Sequence, residues 1–179
     1  MSPGRRRTLA YGAAAVAAAG AGIWTGIRRL SEGATPETML VSPLEAAAYP
    51  DLAGEPRRIA EWRGKVVAVN FWATWCAPCV EEIPLFMDQR KNYASQGFEI
   101  VGIAVDNAAK VAEFSRKMFI SYPILIADGS GLELVRRLGN TAGGLPYTVF
   151  LNREGRPGRS KLGAFTRPEL ETLLAELLS

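Results

Sequence analysis

Apolar runs alternate with amphipathic stretches along much of the chain, and this order predicts an α/β fold. Residues 66–71 form a short, β-branched apolar run that is typical of a buried strand. A helical pattern follows over roughly residues 77–95, and residues 98–105 resemble the first strand. A strand, a helix and a strand of this length predict a parallel pair joined by a right-handed crossover. The loop after the first strand then lies at the edge where open α/β sheets carry their sites.

The second half of the domain is predicted to contain shorter elements. Five of them follow in chain order: a helix over residues 108–118, a strand over 122–127, a helix over 132–138, and two paired strands over 147–151 and 160–164. The final helix has the clearest signal, because Thr166 and Glu169 form a capping box. Leucines recur along one face of that helix, and we interpret this stripe as core packing.

The first 30 residues have a different character. Residues 9–27 carry no charge, are rich in alanine and glycine, and have arginines on both sides. Their length suits a membrane-spanning helix. Two interpretations stay open: an uncleaved signal-anchor with Arg5, Arg6 and Arg7 on the cytoplasmic side, or a signal peptide cleaved after small residues. Either one places the following domain outside the cytoplasm.

These patterns divide the chain into three parts. Residues 1–30 are the signal-anchor or signal peptide, residues 31–43 are a linker, and residues 44–179 are the globular domain. The net charge of +3 comes from the first 32 residues, which hold five arginines and a single acid. The domain itself is nearly neutral, so the charge does not indicate nucleic-acid binding.

The 179 residues include two cysteines and no histidine. The lack of histidine excludes histidine acid–base catalysis, histidine metal ligands and a histidine-ligated haem. One cysteine pair cannot complete a four-cysteine zinc site within a single chain, so we expect no metal or other cofactor. Two cysteines are also too few for a disulfide scaffold in a domain of this size.

Both cysteines lie where the helix after the first strand should begin. Cys76 and Cys79 would share one face of its first turn, and Pro78 suits that turn because its missing N–H is not needed there. Unpaired N–H groups and the helix dipole favour negative charge at this end, so we expect the pKa of Cys76 to fall below the free value of about 8.5. Cys79 should be less exposed, which is the arrangement of an attacking thiol and a resolving thiol.

Three sequence features resemble those of the thioredoxin superfamily: Phe71-Trp-Ala-Thr-Trp-Cys-Ala-Pro-Cys79, then Glu82 and Pro84, and later Gly144-Leu-Pro-Tyr-Thr148. More narrowly, they resemble the TlpA-like, membrane-anchored, extracytoplasmic thiol–disulfide oxidoreductases. The resemblance covers about residues 40–179. It implies a thioredoxin-like three-layer α/β sandwich, with a mixed central sheet flanked by helices, preceded by the N-terminal hydrophobic segment.

The resemblance also implies a role for each matching residue. Cys76 would be the nucleophile and Cys79 the resolving thiol, and the two would form a redox disulfide. Pro146 would be a cis-proline beside the cysteines, and with Leu145 it would offer a backbone edge to a substrate polypeptide. Trp75 would border the site and present an apolar face to the substrate.

Two positions depart from relatives. Cytoplasmic thioredoxins have a buried aspartate where this chain has Asn70, which cannot accept a proton. In TlpA-like proteins a glutamate three residues past the second cysteine takes that role, which implies Glu82, with its pKa raised by desolvation. The alternative is that Glu82 is solvated like Glu81. Tyr147 stands where relatives dedicated to cytochrome c maturation commonly have an acid, so that narrower assignment stays open.

We therefore predict thiol–disulfide exchange with protein disulfide or dithiol substrates, in the direction of substrate reduction. A membrane electron-donor protein would re-reduce the cysteines in an oxidising compartment. The expected location is the bacterial cell membrane with the domain outside the cytoplasm, or the periplasm or medium after signal cleavage. Two alternatives are a Cu(I)-binding module that uses both thiolates and a thiol peroxidase. A peroxidase would need a Pro-x-x-x-Thr-x-x-Cys loop, and the residues before Cys76 lack its proline.

Overall fold

The computed structural model describes Leu44 and residues 48–179, so the predicted N-terminal segment and the linker lie outside the described residues. The strands are β1 (Tyr49–Pro50), β2 (Pro56–Arg57), β3 (Val66–Trp72), β4 (Phe98–Ala104), β5 (Ile124–Ile126), β6 (Tyr147–Leu151) and β7 (Pro157–Leu162). The helices are α1 (Ala77–Tyr93), α2 (Ala108–Lys117), α3 (Gly131–Arg137) and α4 (Arg167–Leu178), with short 3-10 helices at Ile59–Trp62, Ala94–Gln96 and Asp128–Ser130. Within this described part of the chain, no helix has both the length and the apolar character needed to cross a membrane.

Five strands form one mixed sheet in the order β5-β4-β3-β6-β7. β3 pairs in parallel with β4, and β4 pairs in parallel with β5. β6 is antiparallel to both of its neighbours, β3 and β7. Every residue of the central strand β3 is buried, which explains why its sequence is an almost continuous apolar run. The predicted parallel pair on either side of α1 is confirmed.

Helices cover both faces of this sheet. Val67, Val69 and Phe71 of β3 point to one face, where they join a core cluster with α3 and the 3-10 helix Ile59–Trp62. The alternate side chains of β3 point to the other face, which is covered by α1, α2 and α4. The expected sandwich of a mixed sheet between helices is therefore confirmed.

Two of the predicted strands have different ends in the structure. The last strand spans Pro157–Leu162 instead of residues 160–164, because pairing with β6 resumes directly after the turn, where Leu151 opposes Pro157. Gly163 adopts a left-handed φ of +95° and ends that strand. The strand predicted over residues 122–127 is limited to Ile124–Ile126, since only these three residues pair with β4.

Candidate active site

Cys76 and Cys79 are joined by a disulfide bond of 2.06 Å at the start of α1. Cys76 is the N-cap residue of α1, with an extended backbone, and Pro78 lies in the first turn. Cys76 keeps 6% of its surface exposed, whereas Cys79 is completely buried. The predicted order of exposure is confirmed, so a reacting sulfur from another molecule would meet Cys76 first.

The Leu145–Pro146 peptide bond is cis, as expected. Antiparallel pairing places Tyr147 opposite Phe71, so Pro146 lies at the carboxyl end of β3, the end from which the chain continues to Cys76. Leu145 is partly buried and packs against the core cluster that contains both cysteines. The carbonyl of Pro146 accepts a hydrogen bond of 2.8 Å from the Gly163 N–H, which fixes this segment to the end of β7.

An exposed aromatic side chain adjoins the disulfide. Trp75 is 65% exposed directly before Cys76, whereas Trp72 is fully buried and packs on Phe114 with 5.6 Å between ring centroids. The Thr74 hydroxyl donates a hydrogen bond to the Asp106 carboxylate, which connects the loop before Cys76 to the loop after β4. Trp75 therefore offers an apolar surface next to Cys76 in the chain, whereas Trp72 packs within the core.

Glu82 is buried one helical turn after Cys79, with 2% of its surface exposed, whereas its neighbour Glu81 is exposed. Its Oε1 accepts a hydrogen bond of 2.9 Å from Asn70 Nδ2, and its Oε2 accepts one of 3.1 Å from the Phe165 N–H. Burial raises the pKa of Glu82 to about 7, although these two hydrogen bonds and the charge of Lys161 act in the opposite direction. A carboxyl group with this pKa can accept or release a proton near neutral pH.

Sequence reasoning missed Thr148 and the part that Asn70 plays. Asn70 Nδ2 also donates a hydrogen bond of 3.0 Å to Thr148 Oγ1, and both side chains are completely buried. Asn70 cannot accept a proton, but it contacts the carboxyl group that can. A signal was available, because each of these polar residues interrupts an apolar strand sequence.

The loop before the cis-proline is held by two side chains that sequence reasoning also missed. Asn140 is buried, and its Nδ2 donates a hydrogen bond of 2.7 Å to the Gly144 carbonyl. The Tyr147 hydroxyl donates one of 2.8 Å to the Leu138 carbonyl. Tyr147 belongs to the core cluster on the sheet face opposite the cysteines, so its side chain supports the loop and does not border Cys76.

Metal ligands are scarce in this part of the molecule. Within the residues that the structure describes, no group of three or more His, Cys, Asp or Glu side chains is placed to hold a metal ion. The two cysteine sulfurs are consumed in the disulfide, and they would become available as ligands only after reduction.

The fold and the cysteine pair define the class of thioredoxin-fold proteins that exchange thiols and disulfides. The chain belongs to the AhpC/TSA family, whose model matches residues 36–156. It is 31% identical over 128 residues to the thiol-disulfide oxidoreductase ResA of Geobacillus kaustophilus (strain HTA426), a match that covers 71% of each chain.

Solved structures agree with this assignment. The structure resembles a thiol:disulfide interchange protein of the thioredoxin family from Chlorobium tepidum TLS, with a TM-score of 0.63 and 30% identity over 74% of this chain and 93% of that chain. It shares its fold with a secreted thiol-disulfide isomerase from Corynebacterium glutamicum, with a TM-score of 0.66 and 23% identity over 74% of this chain and 83% of that chain. The protein is thus a thiol–disulfide oxidoreductase, and the resemblance inferred from the sequence is confirmed.

Proposed function

We propose that the protein reduces disulfide bonds in protein substrates outside the cytoplasm. In this mechanism Cys76 is the nucleophile, Cys79 is the resolving thiol, and Glu82 is the proton acceptor for Cys79. One observation carries the proposal: Cys76 at the helix start keeps 6% of its surface exposed, whereas Cys79 and Glu82 lie deeper, one and two helical turns further on.

The reaction proceeds in two exchange steps. The Cys76 thiolate attacks a substrate disulfide, a Cys76–substrate bond forms, and the other substrate sulfur leaves as a thiolate. Cys79 then gives its proton to the Glu82 carboxylate and attacks the Cys76 sulfur. The mixed disulfide breaks, the second substrate sulfur leaves as a thiolate, and the Cys76–Cys79 disulfide remains. Two electrons have passed from the protein to the substrate.

The substrate is an extended polypeptide segment in this proposal. Trp75 supplies an exposed apolar face beside Cys76, and Leu145 packs against the core cluster that contains the cysteines. The Leu145 backbone precedes the cis-proline just before β6 begins, where an added strand could pair with it. Contacts of this kind select peptide backbone and apolar side chains more than a particular sequence.

The proposed location rests on the N-terminal sequence. Residues 9–27 are free of charge between two arginine groups, which favours export and retention at the bacterial membrane. A membrane electron-donor protein would return the disulfide to the dithiol form there. The mass of the exported protein tests the two interpretations: an intact N-terminus supports a signal-anchor, and loss of about the first 20–30 residues supports signal cleavage.

Trapping the mixed disulfide tests the cysteine roles and identifies the substrate. The Cys79→Ser variant should accumulate covalent partners on Cys76, and the Cys76→Ser variant should accumulate none. Mass spectrometry of the trapped partners distinguishes apocytochrome c, as in cytochrome c maturation, from other exported proteins. Equal trapping by both variants would show that the two roles are assigned wrongly.

An insulin reduction assay tests the reaction class. We expect the dithiol form to reduce insulin disulfides with both cysteines required. Failure to do so, together with retention of stoichiometric Cu(I) against a competing chelator, would favour the copper-binding alternative. Rapid consumption of peroxide by the isolated protein would favour the thiol peroxidase.

A further inference from the structure

Three polar side chains are buried together where β3, β6 and α1 meet. Asn70 and Thr148 are partners in the pairing of β3 with β6, and neither has exposed surface. The Asn70 amide nitrogen donates to Glu82 Oε1 at 2.9 Å and to Thr148 Oγ1 at 3.0 Å. An NH₂ group has two hydrogens, so it can serve both acceptors at once. A continuous hydrogen-bond path thus connects the carboxyl group on α1 to the strand that begins after the cis-proline.

The other end of the same amide has no partner. Asn70 Oδ1 is buried and accepts no hydrogen bond from the residues that the structure describes. Buried acceptors are nearly always satisfied, so an exception next to a titrating acid calls for a physical cause. Glu82 has opposite requirements in its two states, because a carboxylate only accepts hydrogen bonds, whereas a carboxylic acid also donates one.

We infer that Asn70 is a positioning residue whose amide turns over when Glu82 changes protonation state, with Thr148 as the partner that follows it. This inference rests on the proposed function of Glu82 as the proton acceptor for Cys79. With Glu82 ionised, the amide nitrogen faces both acceptors, as observed. With Glu82 protonated, a half-turn of the amide brings Oδ1 to the acid O–H. The Thr148 hydroxyl, which donates as well as accepts, then donates to Oδ1.

The consequence for catalysis is that Asn70 keeps Glu82 ready to accept a proton. Burial alone favours the neutral acid, which cannot deprotonate Cys79. The hydrogen bond from Nδ2 stabilises the carboxylate before the transfer. When the Cys79 proton arrives on Glu82, the turned amide accepts a hydrogen bond from it, and the Cys79 thiolate attacks the Cys76 sulfur to release the substrate thiolate.

Besides Asn70, three groups interact with Glu82: Lys161, the Phe165 N–H and Tyr122. Lys161 on β7 contributes a positive charge, and the Phe165 N–H before α4 donates to the second carboxylate oxygen. Tyr122, buried before β5, stays a neutral phenol because burial and the nearby Glu82 charge raise its pKa. Cys79 on α1 is therefore the group left to exchange a proton with Glu82.

Ellman's reagent separates the two chemical steps in the full chain, reduced and solubilised in a mild detergent. Attack by Cys76 releases the first thionitrobenzoate, and attack by Cys79 on the resulting mixed disulfide releases the second. For Asn70→Leu, which keeps the branched shape and removes the amide, we expect the half-maximal pH of the second phase to rise by about one unit. One unit corresponds to a tenfold change in the ionisation equilibrium of Glu82, which is the contribution of about one hydrogen bond to a charged group. The first phase should not change.

Three further variants make the test specific. Thr148→Val should move the half-maximal pH of the second phase in the same direction by less, and Thr148→Ser, which retains the hydroxyl, should restore it. Ser115→Ala removes a buried α2 hydroxyl that has no hydrogen-bond partner among the described residues, and it should leave the profile unchanged. If Asn70→Leu does not fold, the comparison of Thr148→Val with Thr148→Ser decides the question.

Glu82→Gln distinguishes the two levels of the proposal. A second phase that depends on Glu82 but has the same half-maximal pH in Asn70→Leu and Thr148→Val would overturn the role of Asn70. A second phase that is unaffected by Glu82→Gln would instead overturn the role of Glu82 in the proposed function.

Discussion

Glu82 is a carboxyl group held in the core of the domain, and its position affects folding as well as chemistry. Its two carboxylate oxygens are satisfied by Asn70 and by the Phe165 N–H, yet burial still raises its pKa from 4.5 to about 7. Ionisation of Glu82 is therefore less favourable in the folded protein than in the unfolded chain. At a pH where Glu82 is ionised, this difference lowers the free energy of unfolding.

The free energy of unfolding should reveal this effect as a function of pH. Between pH 4.5 and 7 the folded chain binds more protons at Glu82 than the unfolded chain does, so stability falls as pH rises through this window. This loss of stability is absent below pH 4.5 and complete above pH 7, where it amounts to about 3 kcal/mol. Glu82→Gln should remove this dependence, which urea unfolding of the oxidised protein at pH 4 and pH 8 would measure.

Glu81→Gln is the matched control, because Glu81 is the exposed neighbour on the same helix. We expect its stability profile to follow the wild type. Parallel profiles for Glu82→Gln and the wild type between pH 4 and pH 8 would contradict the raised pKa of Glu82.

The sequence identifies Glu82 as the candidate proton acceptor, but it does not show which residues surround the Glu82 carboxyl group. The three-residue spacing from Cys79 is a local property of a helix, so it is visible in the sequence. Thr148 is 78 residues from Asn70, and Phe165 is 83 residues from Glu82. These contacts depend on the order of strands in the sheet. From the sequence, Asn70 is therefore recognised only as a residue that cannot accept a proton as aspartate does, and its hydrogen bonds are not predicted.

At the scale of elements, α1 brings Cys76 to its N-terminus with no acidic side chain in its first turn. The unpaired N–H groups and the helix dipole at this end favour the Cys76 thiolate. Ala77→Glu would place a negative charge next to Cys76, so it should raise the thiol pKa and slow iodoacetamide alkylation of Cys76 at pH 7 by roughly threefold. Ala77→Gln has the same shape without the charge and should react at the wild-type rate. Equal rates for the two variants would rule out this electrostatic contribution.

α4 begins with the capping box that the sequence predicts. The Thr166 N–H donates a hydrogen bond of 2.8 Å to Glu169 Oε2, and Thr166 directly follows Phe165, whose N–H bonds to Glu82. Thr166→Ala should reduce the free energy of unfolding by about 1 kcal/mol, because the N-cap position loses its hydroxyl and the hydrogen bond of 2.9 Å that this hydroxyl donates to Glu169 Oε2. Denaturant titration would measure this, with Thr166→Ser retaining the cap as the control. A loss of equal size in Thr166→Ser would show that the hydroxyl is not the cause.

Elements defined by local pattern are predicted well, whereas the ends of the two outer strands of the sheet, β5 and β7, are not. The capping box fixes the start of α4 within its own sequence, and the apolar run of β3 reflects burial on both faces. The ends of β5 and β7 depend on which residues of β4 and β6 stand opposite them. A single sequence does not contain that register. The predicted start of β5 is two residues too early, and the predicted β7 starts three residues and ends two residues too late.

At the scale of the molecule, the active site is assembled from distant parts of the chain. The disulfide comes from the start of α1, and the cis-proline comes from the start of β6 some seventy residues later. Hydrogen bonds from the Asn140 and Tyr147 side chains hold the loop that precedes the cis-proline. The substrate surface beside Cys76 is therefore a product of the whole fold, whereas the sulfur chemistry is local to α1.

The direction of electron flow is a property of the whole molecule, since it depends on whether the disulfide or the dithiol form is more stable. Ala77 and Pro78 between the cysteines carry no charge, so they add no electrostatic stabilisation of the Cys76 thiolate to that of the helix N-terminus. We expect a milder stabilisation than in strong oxidants of this fold, whose dithiol form is favoured and whose potential is near −120 mV.

We therefore expect a reduction potential closer to the thioredoxin value of about −270 mV, measured by equilibration with dithiothreitol and glutathione. The oxidised protein should also unfold at a higher temperature than the reduced protein, because the same free energy difference between the two forms appears in both measurements. A potential near −120 mV with a more stable reduced form would reverse the proposed direction and make the protein an oxidant of its substrates. Agreement between the two measurements would confirm that the folded domain itself, and not a feature of the cysteine pair in isolation, sets the direction of exchange.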